Sequence, residues 1–171
     1  MATQRPIKRV GKMMRERTSA TAPERLVLYF AYGANLHHEG MRLRCPHSRP
    51  LRIARLAGYS LQIALPEKIK IGNGWATVEP EEDAFVPGVL YLLHERNITV
   101  LDTYEDYPEI YGREDVTVES DIGEERAMLY RMNGPIQAAK PSLEYAATLR
   151  HGYTENKLPM EVLDAVLGRQ G

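Results

Sequence analysis

Residues 26–36 read Leu26-Val27-Leu28-Tyr29-Phe30-Ala31-Tyr32-Gly33-Ala34-Asn35-Leu36. An unbroken run of apolar and aromatic residues ending in glycine describes a strand buried on both faces. Gly33-Ala34-Asn35 breaks the run, and Leu36 to Leu43 carries helical propensity and stops before Pro46. The unit is therefore strand, tight turn, helix. A junction of this kind gathers unpartnered backbone N–H groups at one point, a nest suited to a carboxylate, a phosphate or a developing oxyanion. Asn35 can also cap the helix. A simple turn with a cap would read the same way, so this stretch alone leaves both readings open.

Outward from it, Leu51 to Leu65 reads as a strand with Gly58 as a bulge or bend. Gly72 to Gly74 is a turn. Trp75 to Val78 is a short strand ended by Pro80, and Phe85 to Leu93 is another, interrupted at Pro87-Gly88. His94 to Tyr104 fits a helix, with Ile98, Leu101 and Tyr104 at helical spacing. Val116 to Glu119 and Ala127 to Met132 alternate as strands do. Ser142–Arg150 and Met160–Leu167 close the chain as helices, with Ser142 and Pro159 as start signals. Six or seven short strands and four short helices, strands dominating the first two thirds, point to an α+β fold: a small curved or closed β-barrel flanked by helices.

A chain of 171 residues, 43% hydrophobic and 26% charged, is the size and composition of one globular domain. The net charge of −1 argues against general nucleic-acid binding. Residues 1–25 form a basic N-terminal arm of net charge +5, and the domain expected over residues 26–171 carries −6. Cys45 is the only cysteine, so no intramolecular disulfide can form, and a reducing compartment such as the cytoplasm is expected. No apolar run is long enough to span a bilayer as a helix.

Two places bear chemistry besides the turn. In Leu101-Asp102-Thr103-Tyr104-Glu105, Asp102 and Glu105 lie three apart and share a helix face. Glu105 falls at the helix end, where the dipole opposes a negative charge. Among Tyr104, Tyr107 and Tyr111 its pKa can rise, which suits a proton shuttle, although a solvated acidic patch would look alike. His37-His38-Glu39 lacks the i, i+4 pair of a zinc helix, and His47, His94 and His151 lie far apart in the chain, so no metal site is expected. No phosphate-binding or dinucleotide loop is present.

Taken together, the segment Leu28 to Leu36, the Leu101-Asp-x-x-Glu105 segment, Tyr111, Ser142-Leu-Glu-Tyr145 and Gly152 to Pro159 resemble, in order and spacing, the γ-glutamyl cyclotransferase family. The resemblance covers residues 26–167. It implies a cofactor-free enzyme in which the substrate's own α-amine attacks its γ-carbonyl, closing 5-oxoproline and releasing an amine or amino acid. It also implies Glu105 as the catalytic general acid/base, and a substrate cradle at Tyr32, Gly33, Ala34, Asn35 and Leu36. Tyr145 and Tyr111 are implied on the substrate as well. Ala34 stands where the family often has Ser; the N–H survives but a hydroxyl contact, worth about 1 kcal/mol if used, is lost. The partners expected are a small-molecule γ-glutamyl substrate and, at most, a second copy in a homodimer, with no nucleic acid and no membrane. Two alternatives stay open: a non-catalytic binding module on the same fold, and a biosynthetic enzyme that removes a γ-glutamyl protecting group.

Overall fold

The computed structural model describes residues 25–168, so the basic arm lies outside the described residues except for Arg25. Among the described residues there are six strands: β1 (Leu26–Ala31), β2 (Pro50–Pro66), β3 (Trp75–His94), β4 (Tyr111–Ser120), β5 (Gly123–Met132) and β6 (Ile136–Ala138). Four α-helices accompany them: α1 (His38–Arg44), α2 (Glu95–Tyr104), α3 (Leu143–Glu155) and α4 (Met160–Gly168). A single 3-10 turn, Ala34–Leu36, joins β1 to α1.

The strands run in the order β3-β1-β5-β4-β2-β6, and β2 also pairs with β3. That last pairing closes five strands into a barrel and leaves β6 as an extra strand on β2. All ladders are antiparallel except β1 with β5, which meet in parallel at Tyr29 and Met128. β1 lies between β3 and β5, and its last three residues are buried. This is the location that its continuous apolar run demands. Phe30, Leu90, Leu129, Val118 and Leu56, one from each barrel strand, are among the fully buried residues of the core.

The expected break between Trp75–Val78 and Phe85–Leu93 is corrected: both belong to the single 20-residue strand β3. Pro80 pairs with Tyr59 and Pro87 with Arg55. β1 pairs only with Val89–His94, so at both prolines β3 has β2 on one side alone. A missing N–H there breaks no bond to a second neighbour, and proline is tolerated as on any edge. Gly58 sits at the bend expected of it: φ is +76°, in the left-handed region, and the register with β3 shifts between Ala57 and Tyr59. Ser142 caps α3 by accepting a hydrogen bond from the Tyr145 backbone N–H.

Asn35 does not cap a helix as expected. It lies inside the 3-10 turn, and α1 starts after His37 with no side-chain cap. Gly152 of α3 explains how close the packing around this turn is: a Cβ there would lie 2.6 Å from the Cβ of Leu36. Asn156 adds a hydrogen bond from its Nδ2 to the Leu36 carbonyl, 2.9 Å. The turn is thus clamped against α3, which carries Tyr145 at its other end.

Candidate active site

A cavity of about 240 Å³ opens where β1 ends, and its walls include Tyr32, Gly33, Ala34, Asn35, Glu105, Tyr111 and Tyr145. Of the residues expected at the site, only Leu36 is missing from this wall. Its side chain is fully buried, and its backbone N–H bonds to the Gly33 carbonyl at 3.0 Å. Leu36 anchors the turn and leaves the approach to the cavity to residues 33–35. The first amides of any helix lack an intrahelical acceptor, and here those amides belong to residues lining the cavity.

Gly33 leads into the turn at φ −118° and ψ −132°, and the space beside it is tight. A Cβ would come within 3.2 Å of the Ala76 Cβ and 3.7 Å of the Tyr145 hydroxyl. The bare backbone lets the turn, β3 and α3 converge on one point.

Glu105 caps the C-terminus of α2, its N–H bonded to the Leu101 carbonyl at 2.8 Å. Its Oε1 accepts a hydrogen bond from Asn35 Nδ2 at 2.9 Å. The same Nδ2 reaches the Tyr29 hydroxyl at 2.9 Å, and Asn35 Oδ1 accepts from Arg44 Nε at 2.9 Å. The Arg44 bond fixes which way the amide points, since a guanidinium only donates. Asn35 must then present its NH₂ to the carboxylate. The Arg44 guanidinium lies over the Tyr104 ring, 3.9 Å from its centre, a cation–π contact that holds it in place.

Burial pushes the Glu105 pKa up to about 7. The Arg44 charge and the Asn35 hydrogen bond pull it down and Asp106 raises it, but desolvation is the largest effect. Burial also raises the phenols of Tyr29, Tyr32, Tyr111 and Tyr145, and the Glu105 charge acts in the same direction. Around neutral pH these tyrosines are hydroxyl donors, while Glu105 can both take and give a proton.

The hydroxyls differ in what they have left to offer. Tyr32 donates to the Tyr130 carbonyl, and Tyr111 donates to the Ala76 carbonyl at 2.7 Å. Both protons are committed to the barrel. Tyr145 instead accepts from the Ala76 N–H at 3.0 Å, which leaves its own proton for a ligand.

Asp102 and Glu105 do not act as a pair, although they sit three residues apart. Asp102 accepts from Tyr130 Oη at 2.7 Å and from Arg113 through both carboxylate oxygens. Asp102 is not part of the cavity wall. The residues sequence reasoning missed are Arg44, Tyr29 and Ala76. Tyr29 lies in β1, where the apolar run marks it as core. Nothing local marks Arg44, whose role depends on α1 folding back over the end of α2. Among the described residues, the one group of His, Cys, Asp or Glu side chains close enough to share an ion is His37, His151 and Glu155, and none of these lines the cavity.

Residues 29–150 match the family model described as gamma-glutamyl cyclotransferase, AIG2-like. The chain is 32% identical to a gamma-glutamylcyclotransferase of Bos taurus over 140 residues, 78% of this chain and 73% of the relative. It is 30% identical to one of Homo sapiens over 143 residues, 81% and 76% of the two chains. A solved gamma-glutamyl cyclotransferase structure superposes with a TM-score of 0.75 at 29% identity, covering 83% of this chain and 86% of the other. With a closed barrel and Glu105 in the wall of a cavity beside a glycine turn, this protein belongs to the gamma-glutamyl cyclotransferase, AIG2-like family.

Proposed function

We propose that this protein converts a γ-glutamyl amide to 5-oxoproline, releasing the amine or amino acid, with Glu105 as the general acid/base. The observation that carries this reading is a single carboxylate lifted toward neutrality in the wall of a small cavity, bonded through Oε1 to an amide fixed in orientation. The related proteins named gamma-glutamylcyclotransferase support the same reaction class.

The chemistry needs no nucleophile from the protein. The substrate's α-ammonium loses a proton to Glu105, and the freed amine attacks the γ-carbonyl carbon to close a five-membered ring. Protonated Glu105 then delivers the proton to the leaving nitrogen as the old C–N bond breaks. A second proton follows the same route from the ring nitrogen, and Glu105 finishes as a carboxylate. Two protons move from one nitrogen to the other, which a group of pKa about 7 can mediate in both directions. In this reading the amides of Gly33, Ala34 and Asn35, residues that line the cavity, hold an anionic oxygen of the substrate, either its α-carboxylate or the developing oxyanion. Tyr145 adds a hydroxyl proton, and Tyr111 shapes the wall. Holding the glutamyl chain folded supplies the remaining help, because cyclisation requires a near-attack geometry.

Incubating the purified protein with γ-glutamyl amino acids, γ-glutamyl amines and glutathione, and quantifying 5-oxoproline by mass spectrometry, tests the proposal. Formation of 5-oxoproline from at least one of them is expected, and the best substrate identifies the leaving group. No 5-oxoproline from any of them would move the non-catalytic binding reading ahead.

A further inference from the structure

The other end of α3 carries a second cluster. His151 and Glu155 are four apart and share one face of α3. His37, which lies between the 3-10 turn and α1, comes to the same face from 114 positions away in the sequence. One ligand atom from each of the three lies within 4.8 Å of the others, and the two imidazole rings stand 4.5 Å apart between centres, tilted by 58°. Histidine nitrogen with carboxylate oxygen is the donor set preferred by zinc and its first-row neighbours.

The surroundings of Glu155 strengthen the case. Its Oε2 accepts from the His38 backbone N–H at 3.0 Å, and its Oε1 lies 3.1 Å from His38 Nδ1. His38 is itself held from the other side by Asn156 Oδ1, 2.6 Å from its Nε2. A carboxylate oxygen has lone pairs for both a hydrogen bond and a metal, and carboxylates that bind metals are commonly steadied by hydrogen bonds of this kind. The acid is therefore aimed before any ion arrives. The imidazoles of His37 and His151 make no hydrogen bond among the described residues, so neither needs to give one up.

We propose that His37, His151 and Glu155 form a binding site for a first-row divalent cation such as zinc. Three ligands leave at least one coordination position to water. Ligand atoms around a tetrahedral zinc stand roughly 3.3 Å apart, so closing the site takes a rearrangement on the order of 1 Å in surface side chains. His37 follows directly on the turn whose residues 34 and 35 line the cavity, and α3 carries Tyr145. A bound ion ties these two walls together at the end remote from the substrate. The site does not depend on the reaction proposed above, because binding can be read without turnover.

The test uses the tag-free full chain, stripped with chelator and titrated with zinc chloride by calorimetry, while histidine ring signals are followed by NMR. The regions outside the described residues contain no histidine or cysteine, so they add no competing soft ligand. One equivalent should bind, the ring signals of His37 and His151 should move, and those of His47 and His94 should stay in place. His151→Ala should weaken binding by about tenfold or more. Absence of zinc binding overturns the proposal. So does binding that leaves the His37 and His151 signals unmoved, or that keeps its affinity in a folded His151→Ala protein. Should that variant not fold, the wild-type ring signals decide.

Discussion

At the C-terminal end of α2, Glu105 lines the cavity while Asp102 stays out of its wall, held by Arg113 and Tyr130, and the two have opposite chemistry. Asp102 is also partly desolvated, which by itself would raise its pKa, but hydrogen bonds from Arg113 and Tyr130 and the Arg113 charge outweigh that and hold it below the usual value. Glu105 meets the same helix end with only an amide on one oxygen and a cation one residue removed, so desolvation wins and its pKa rises to about 7. Arg113 hydrogen-bonds Asp102 directly, whereas Arg44 hydrogen-bonds Asn35 and acts on Glu105 through space by its charge. That contact, together with the stronger desolvation of Glu105, makes one acid a structural anion and leaves the other with a pKa near neutrality. Spacing on a helix does not assign roles to acids; desolvation and direct contact with a cation do.

The sharpest way to break the comparison is to neutralise each acid in turn. Glu105→Gln keeps an oxygen for Asn35 and should lower kcat for 5-oxoproline formation by about 10²–10⁴-fold, the usual scale for loss of a general acid/base. Asp102→Asn should leave kcat within about threefold and lower stability by about 1 kcal/mol, as one partly exposed charged pair is weakened. Steady-state assays and urea denaturation of both variants check this. Equal losses of turnover from the two would show that the acids work as a unit after all.

The sequence made one half of this arrangement legible. The apolar run from Leu26, its break at Gly33 and the placement of Glu105 at a helix end are local features, and the structure has each of them. The acid's partner is not local. Asn35 and Glu105 are 70 residues apart, and they meet because β1 inserts between β3 and β5 while α2 leaves the end of β3. The closure of β2 on β3 is hidden for the same reason, since periodicity reports which face is buried and says nothing about which strand lies beside it. Prolines 80 and 87 misled because local rules treat every strand position as having two neighbours. His151 and Glu155 stood at ligand spacing in the sequence, but their third partner came from the far end of the chain.

A smaller effect separates direct from relayed charge. Arg44→Met removes the cation that lowers the Glu105 pKa and frees the Asn35 amide to turn. The acid limb of the kcat/KM profile, expected near the Glu105 pKa of about 7, should move to higher pH, because the carboxylate is then harder to ionise. At pH above the new limb kcat should recover to within a few-fold of wild type, as expected for a positioning residue. A limb that stays in place while kcat falls at every pH would mean that Arg44 acts on the substrate instead.

The smallest effect is on stability, and here the two acids should differ in sign. Glu105 has its pKa raised on folding, from 4.5 to about 7. Between those values the unfolded chain has released this proton while the folded chain still holds it, so stability falls as pH rises through that window and changes no further above it. Asp102 has its pKa lowered, so its contribution is present above its unfolded value and is lost only as pH falls through the folded one. Glu105→Gln should therefore gain stability relative to wild type between pH 4.5 and 8, by about 1–3 kcal/mol, with solvent in the cavity setting the lower figure. Asp102→Asn should show its deficit at pH 8 and lose that deficit in acid. Urea midpoints measured for wild type and both variants at pH 2.5, 4.5, 6 and 8 test the pair together, the most acid point being the one that reaches the Asp102 window. If the Glu105→Gln curve runs parallel to wild type, Glu105 is solvated enough to ionise at its ordinary pKa in the folded protein. The proton shuttle would then have to draw its basicity from contact with the bound substrate.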